Sequence, residues 1–291
     1  MQKALGFIGL GVMGFPMAGH LTKKGYKVSV FNRTLEKSQN WTKKYNGTLC
    51  ESLPELAESS EIIFLCVGND HDVKNIIHGN DGIINYLKPG TILVDHTTTS
   101  AELPIELNQS LHLKKVIFLD APVSGGQTGA ESGMLSIMVG GNKKSYKEIK
   151  DVMAAYSKFI KYMGESGSGQ LTKMVNQICI AGLIQALAEG INFSDEVGLN
   201  TKDVIEVISK GAAQSWQMEN RWETMINNQY DHGFAVDLMR KDLDIVLEKA
   251  KKNNISIDIT KVINDYYKDI QKAGGGSLDT SSLLRRIKDL I

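Results

Sequence analysis

Through the first half of the chain, short apolar runs take turns with amphipathic stretches. Residues 4–9, Ala-Leu-Gly-Phe-Ile-Gly, are apolar without a break, as a strand buried on both faces requires. Residues 27–31, 61–67, 91–95, 116–120 and 135–139 read as further strands. Between and after them, residues 15–24, 36–45, 53–58, 72–77, 101–111 and 146–156 place apolar side chains at helical spacing. Strands alternating with helices predict a parallel sheet covered on both faces. After Gly169 the strand signals largely stop. Residues 171–197, 202–210, 216–227, 236–252 and 259–272 read as helices, with Thr201 and Asp203 as a start signal and Gly211 as a stop. Residues 273–277 form a glycine-rich loop before a last short helix at 281–290. The change of character at 164–169, Gly-Glu-Ser-Gly-Ser-Gly, divides the chain into an α/β domain, 1–164, and an all-helical domain, 165–291.

Composition narrows the function classes. The length, 291 residues, suits two domains. Lys+Arg and Asp+Glu are both 33, so no bulk field draws the chain to nucleic acid or to an anionic membrane. No run approaches ~18 consecutive apolar residues, so no membrane span is expected. Cys50, Cys66 and Cys179 are far apart and odd in number, against a disulfide framework or a cysteine zinc site. His20, His71, His78, His96, His112 and His232 are scattered without metal-ligand spacing, so no metal is expected. Each reads as structural or solvated; His96, which follows the strand end at Asp95, is the one placed where it could line the cofactor site. The chain opens on a strand rather than on the basic and apolar regions of a signal peptide. With reduced cysteines, this leads to a cytoplasmic expectation.

Four stretches carry chemistry. Gly9-x-Gly11-x-x-Gly14 follows a strand and opens a helix. The first glycine makes the turn, the second admits a pyrophosphate, the third lets helix and strand pack, and the helix N-terminus faces the phosphates. At the end of the second strand, Phe31-Asn32-Arg33-Thr34 has no carboxylate to accept from a ribose 2′-hydroxyl. Arg33, with Asn32 and Thr34 as further donors, suits a 2′-phosphate, hence NADP(H) preferred and NAD(H) possible. The alternative is a solvated Arg33 and use of both cofactors. Ser124, Gly125 and Gly126 end another strand and offer a hydroxyl and open N–H groups to a small carboxylate, although Pro-x-Ser-Gly-Gly also reads as a turn. Lys173, Asn176 and Gln177 share one face of the long helix that follows the glycine-serine joint. An ammonium and two amides there can meet a small polar substrate; the alternative is a lysine that only reaches solvent.

Taken in order, Gly6-Phe-Ile-Gly-Leu-Gly-Val-Met-Gly-Phe-Pro-Met-Ala18, Asp120-Ala-Pro-Val-Ser-Gly-Gly126, Gly167-x-Gly-Gln-x-x-Lys173-x-x-Asn176 and Lys241-Asp242-Leu243 resemble the β-hydroxyacid dehydrogenase family. That family includes 3-hydroxyisobutyrate dehydrogenases, tartronate semialdehyde reductases and glyoxylate/succinic semialdehyde reductases. The resemblance spans almost the whole chain. It implies an N-terminal Rossmann domain and an all-α C-terminal domain joined by a long helix. It implies a nicotinamide cofactor lying along Phe7, Ile8, Gly9, Leu10, Gly11, Val12, Met13 and Gly14 and on towards His20. Asn32-Arg33-Thr34, Val67-Gly68 and Thr97-Thr98 would complete that site, with Lys241 near the nicotinamide. Ser124, Gly125 and Gly126 match the substrate-carboxylate site and Lys173 the catalytic lysine. The pair Asn176-Gln177 replaces the paired asparagines common in the family, as in its tartronate semialdehyde branch, and leaves open which of the two meets substrate.

The implied reaction is reversible reduction of a small semialdehyde or keto acid to its 3-hydroxy, or 2- or 4-hydroxy, acid, with Lys173 as general acid and base. Imine reductases share the layout but replace the lysine. Non-catalytic recognition modules of the same fold lose it and add basic extensions. Substrate choice would rest on residues around Ser215, Trp216, Phe234 and Asp237, while Asp242 and Asp244 read as exposed helix charges. A homodimer or homotetramer is expected.

Overall fold

The computed structural model describes residues 3–289; Leu290, the end of the last expected helix, lies outside them, as do Met1, Gln2 and Ile291. The chain forms two compact units, Met1–Lys173 and Met174–Ile291. Their division falls inside a helix, a little beyond the glycine-serine joint.

In the first unit, β1 (Leu5–Ile8), α1 (Gly14–Lys23), β2 (Val28–Phe31), α2 (Leu35–Lys44), β3 (Thr48–Leu49), α3 (Leu53–Ser59), β4 (Ile62–Leu65), α4 (Asp70–His78), β5 (Ile92–Asp95), α5 (Glu102–His112) and β6 (Ile117–Asp120) follow in order. Their strands lie as β3-β2-β1-β4-β5-β6, all parallel. This is the doubly wound Rossmann order, with its reversal beside β1. Every side chain of β1, β4 and β5 is buried, which is why these strands read as continuous apolar runs. Phe7 lies opposite Phe64, their rings stacked at 6.0 Å, over a layer formed by Met17, Leu21 and Trp41. Ile8, Ile63 and Leu65 point the other way, against Leu56, Val73 and Leu107.

The sheet then departs from the expected parallel order. β7 (Val123–Ser124), α6 (Gly126–Ser132), β8 (Leu135–Gly141), α7 (Lys143–Met153) and β9 (Ser157–Gly164) complete it. β8 runs antiparallel to β6 and β7 and parallel to β9. Only Ala121 and Pro122 separate β6 from β7, too few for a crossover, so the chain continues onward past the end of β6. The unforeseen β9 is an edge strand in which apolar residues are interrupted by Lys158 and Lys161, and most of its positions meet solvent.

The second unit is all-helical. α8 (Ser168–Glu196) begins in the first unit and runs unbroken into the second, followed by α9 (Thr201–Ile208), α10 (Trp216–Ile226), α11 (Val236–Lys252), α12 (Asp258–Lys272) and α13 (Leu283–Ile287). Asn200 accepts from the N–H groups of Lys202 and Asp203, and Ser215 from that of Met218; these caps start α9 and α10. Ile184, Ala188 and Ile191 of α8 pack with Met239, Leu243, Ile263 and Tyr267. Buried Asp279 accepts from the N–H of Phe234 and from the N–H and hydroxyl of Ser281, and faces Arg221 at 3.5 Å. It thereby ties the turn before α11 to the turn before α13.

α8 corrects one expectation. At 29 residues, with a window of mean hydropathy 1.4, it is long and apolar enough to cross a membrane. The cause is that apolar residues occupy two of its sides. One side lies in the core, and the other leaves Leu171, Val175, Leu183 and Phe193 exposed. Gln170, Lys173, Gln177 and Gln185 are buried among them, as in the central helix of a helical domain.

Candidate functional site

The parallel strands bring most of the expected residues to one edge of the sheet. Gly9 to Gly14 leave the carboxyl end of β1. Gly9 has φ +96°, and a Cβ there would lie 2.3 Å from the Cys66 carbonyl oxygen; one on Gly14 would lie 2.0 Å from that of Gly9. The fold itself therefore demands both glycines. Gly11 differs, because a Cβ there would meet nothing within 4 Å. Its missing side chain leaves room outside the fold, where a pyrophosphate backbone contact needs it. No side chain caps α1 and no acid stands in its first turn, so its N-terminal N–H groups and partial positive charge are left for an anion.

Asn32 also has a structural task. Its Oδ1 accepts from the Leu10 N–H at 2.9 Å and its Nδ2 donates to the Thr34 carbonyl at 3.0 Å. It braces the glycine turn against the end of β2, leaving Arg33 and Thr34 exposed beyond it. Beyond β4 and β5, the Val67 N–H donates to Thr97 Oγ1 at 3.1 Å, and the Thr97 N–H to Asp95 at 2.9 Å. Burial pushes the Asp95 carboxyl up to about 7, against the bonds from Thr97 that favour its charge. His96 turns inward and lines no ligand surface. Its Nδ1–H donates to the Ala121 carbonyl at 2.6 Å, and its Nε2 accepts from the Tyr156 hydroxyl at 2.9 Å. Burial lowers it to about 4 and keeps it neutral.

Two further residues hold this edge together; both stand in the quoted motifs, with no role assigned to them there. Asp120, at the end of β6, is fully buried and accepts from the N–H groups of Gly167 and Gln170 at 2.9 and 3.0 Å. Burial raises its pKa, opposed by these bonds. The Gln170 side chain donates to the Thr97 carbonyl at 2.7 Å and accepts from the Thr99 N–H at 3.1 Å, bracketing Thr98. A buried acid ending a strand and a glycine-rich helix start form a complementary pair, but 47 residues separate Asp120 from Gly167.

Ser124 ends β7, past the carboxyl edge of β6, and is half-buried. Gly125 and Gly126 have φ of +131° and +60°, so the turn that bares their N–H groups needs glycine. Lys173, in the second turn of α8, is buried at 7% exposure.

In the second unit, Asn176 Nδ2 donates to Gln177 Oε1 at 2.8 Å, and Gln177 Nε2 donates to Asp242 Oδ2 at 2.7 Å. The Lys241 ammonium stands 3.0 Å from Asp242 Oδ1. Asp242 is 2% exposed, so of the two acids read as solvated charges only Asp244 is one. An acid beside a lysine on an amphipathic helix carries no sequence signal that it points inward.

The residues therefore fit a dinucleotide: a glycine turn open at Gly11, an uncapped helix N-terminus, and Arg33 where an acid is absent. The comparisons agree. Residues 4–164 match the NAD binding domain of 6-phosphogluconate dehydrogenase, and residues 167–287 the NAD-binding domain of NADP-dependent 3-hydroxyisobutyrate dehydrogenase. An uncharacterized oxidoreductase of Shewanella frigidimarina is 50% identical over 97% of this chain and 97% of its own. The 2-hydroxy-3-oxopropionate reductase of Escherichia coli is 32% identical over 98% of this chain and 97% of its own. In fold, the chain resembles Mycobacterium tuberculosis 3-hydroxyisobutyrate dehydrogenase solved with L-serine, at a TM-score of 0.88 and 24% identity, covering 99% of this chain and 100% of that one.

The glycines separate binding from folding. Gly14→Ala is expected to lower the melting temperature, because its Cβ meets backbone. Gly11→Ala should melt with the parent yet bind dinucleotide about tenfold more weakly, ~1.4 kcal/mol. Thermal melts and NADPH fluorescence titrations check both; equal melting of the two variants would contradict the distinction.

Proposed function

The chain belongs to the 3-hydroxyisobutyrate dehydrogenase family of NAD-dependent hydroxyacid dehydrogenases, and from that premise we propose that it reduces a small, carboxylate-bearing semialdehyde with NADPH, reversibly. The observation that carries this reading is Lys173: an ammonium buried on a helix whose first turn is fastened to the carboxyl edge of a dinucleotide-binding sheet. The nicotinamide, when bound, supplies or accepts the hydride. Lys173 donates the proton that the carbonyl oxygen needs as it becomes a hydroxyl, and takes it back in the oxidising direction. The hydroxyl of Ser124 and the N–H groups of Gly125 and Gly126 hold the substrate carboxylate.

Of the amide pair, Asn176 is the less buried. Gln177 is 1% exposed and committed to Asp242 and Asn176, so it orients its neighbour. Asp242 in turn holds Lys241. The 2-hydroxy-3-oxopropionate reductase among the relatives supports a three-carbon semialdehyde acid as the first substrate to try.

Lys173→Ala should lose ~10²–10⁴-fold in kcat for reduction of 2-hydroxy-3-oxopropionate, with NADPH binding retained. Near-parental turnover would remove Lys173 from the reaction. The exposed guanidinium of Arg33, with no carboxylate beside it in the loop, supports NADP(H) over NAD(H). Arg33→Asp should reverse the ratio of kcat/KM for NADPH and NADH, and an unchanged ratio would leave the choice to other residues. The exposed apolar stripe of α8 supports a homodimer or homotetramer. Gel filtration with light scattering is expected to show an oligomer, and a species of single-chain mass alone would count against it.

A further inference from the structure

The structure is shaped around Asp120 more closely than a helix cap requires. Its two carboxylate oxygens take N–H groups at the start of α8, where no helical carbonyl can reach them. Two glycines make the room. A Cβ on Gly140 would lie 2.6 Å from Asp120 Oδ1, and one on Gly169 would lie 2.7 Å from its Oδ2. Gln170 adds a second fastening, to the backbone of Thr97 and Thr99 beyond the neighbouring strand. A helix held at one point can pivot and turn. One held at the ends of two adjacent strands, β5 and β6, can do neither.

We propose that Asp120 is the positioning residue for Lys173. Its carboxylate sets the depth and rotation of the first turn of α8. Lys173 follows Gly169 and Gln170 by one turn on the same side of the helix, about 5 Å along its axis. Asp120 also offsets the partial positive charge of the helix N-terminus, which would otherwise stand one turn from the ammonium. The inference rests on Lys173 being the proton donor, as proposed above.

The test compares Asp120→Ala, Asp120→Asn and Gln170→Leu with the parent, each as the full chain. In Asp120→Ala, kcat should fall ~10–100-fold, as a misplacement of about 1 Å produces. Asp120→Asn keeps one acceptor and should fall less. NADPH affinity should stay within about twofold. Two readouts need no turnover. Amides at the start of α8 should exchange with deuterium faster than those of the sheet. The pH midpoint for acetylation of Lys173 by acetic anhydride, followed by mass spectrometry, should move lower once the acid is gone. A reduced melting temperature with parental kcat and a parental acetylation profile would make Asp120 a structural cap alone and overturn the inference. If Asp120→Ala does not fold, Asp120→Asn and Gln170→Leu carry the same comparison. An active Lys173→Ala would remove the proton-donor reading, while exchange and acetylation still decide whether Asp120 controls the lysine's surroundings.

Discussion

The carboxylate of Asp120 against the N-terminus of α8 is the contact on which the candidate site depends. Parallel strands deliver their carboxyl ends to one edge, and loops leaving that edge can gather a ligand. A helix has no such edge, and the first N–H groups of its backbone need acceptors from elsewhere. Asp120 accepts the N–H groups that the helix cannot satisfy itself, inside a core where leaving them unpaired would cost ~1–3 kcal/mol each. The acid also suffers from burial, which raises its pKa. Neither group is stable there alone. Together they meet, because Gly140 and Gly169 leave the space that side chains there would take from the carboxylate.

The same economy appears at the other polar groups of the edge. Asn32 spends one end of its amide on the glycine turn and the other on its own loop at Thr34, and His96 both ring nitrogens on Ala121 and Tyr156. These bonds hold loops still. Arg33, Thr34 and the open face of Gly11 stand beyond them. In the second unit, Asp242 does for Gln177 and Lys241 what Asp120 does for α8. One buried acid holds two polar side chains that would otherwise be free to seek solvent.

The local pattern made the alternation of strands and helices legible, because burial on both faces leaves an unbroken apolar run and burial on one face leaves a helical period. β3 and β7 are two residues long, too short for any period, and β9 is diluted by lysines at an exposed edge. The antiparallel turn of β8 follows from the length of the connection after β6, which a pattern of apolar residues does not weigh. The glycine turn and the lysine face were readable because their chemistry is local. Asp120, Gln170 and Asp242 were not, since each takes its meaning from a partner distant in sequence. Asp242 looked like a solvated charge, and only the packing of α11 shows otherwise.

Three glycines in one turn illustrate how a motif divides into folding and binding. Gly9 and Gly14 are forced by neighbouring backbone, at 2.3 and 2.0 Å from where a Cβ would stand, so a glycine turn of this shape would need them with or without a ligand. Gly11 is forced by nothing in the chain. A residue that the fold leaves free, yet which is glycine beside an uncapped helix N-terminus, leaves room for something that approaches from outside and carries negative charge. The family supplies that partner as a dinucleotide, and the geometry points to it independently: of the three positions, the one without an internal cause is the one with an external use.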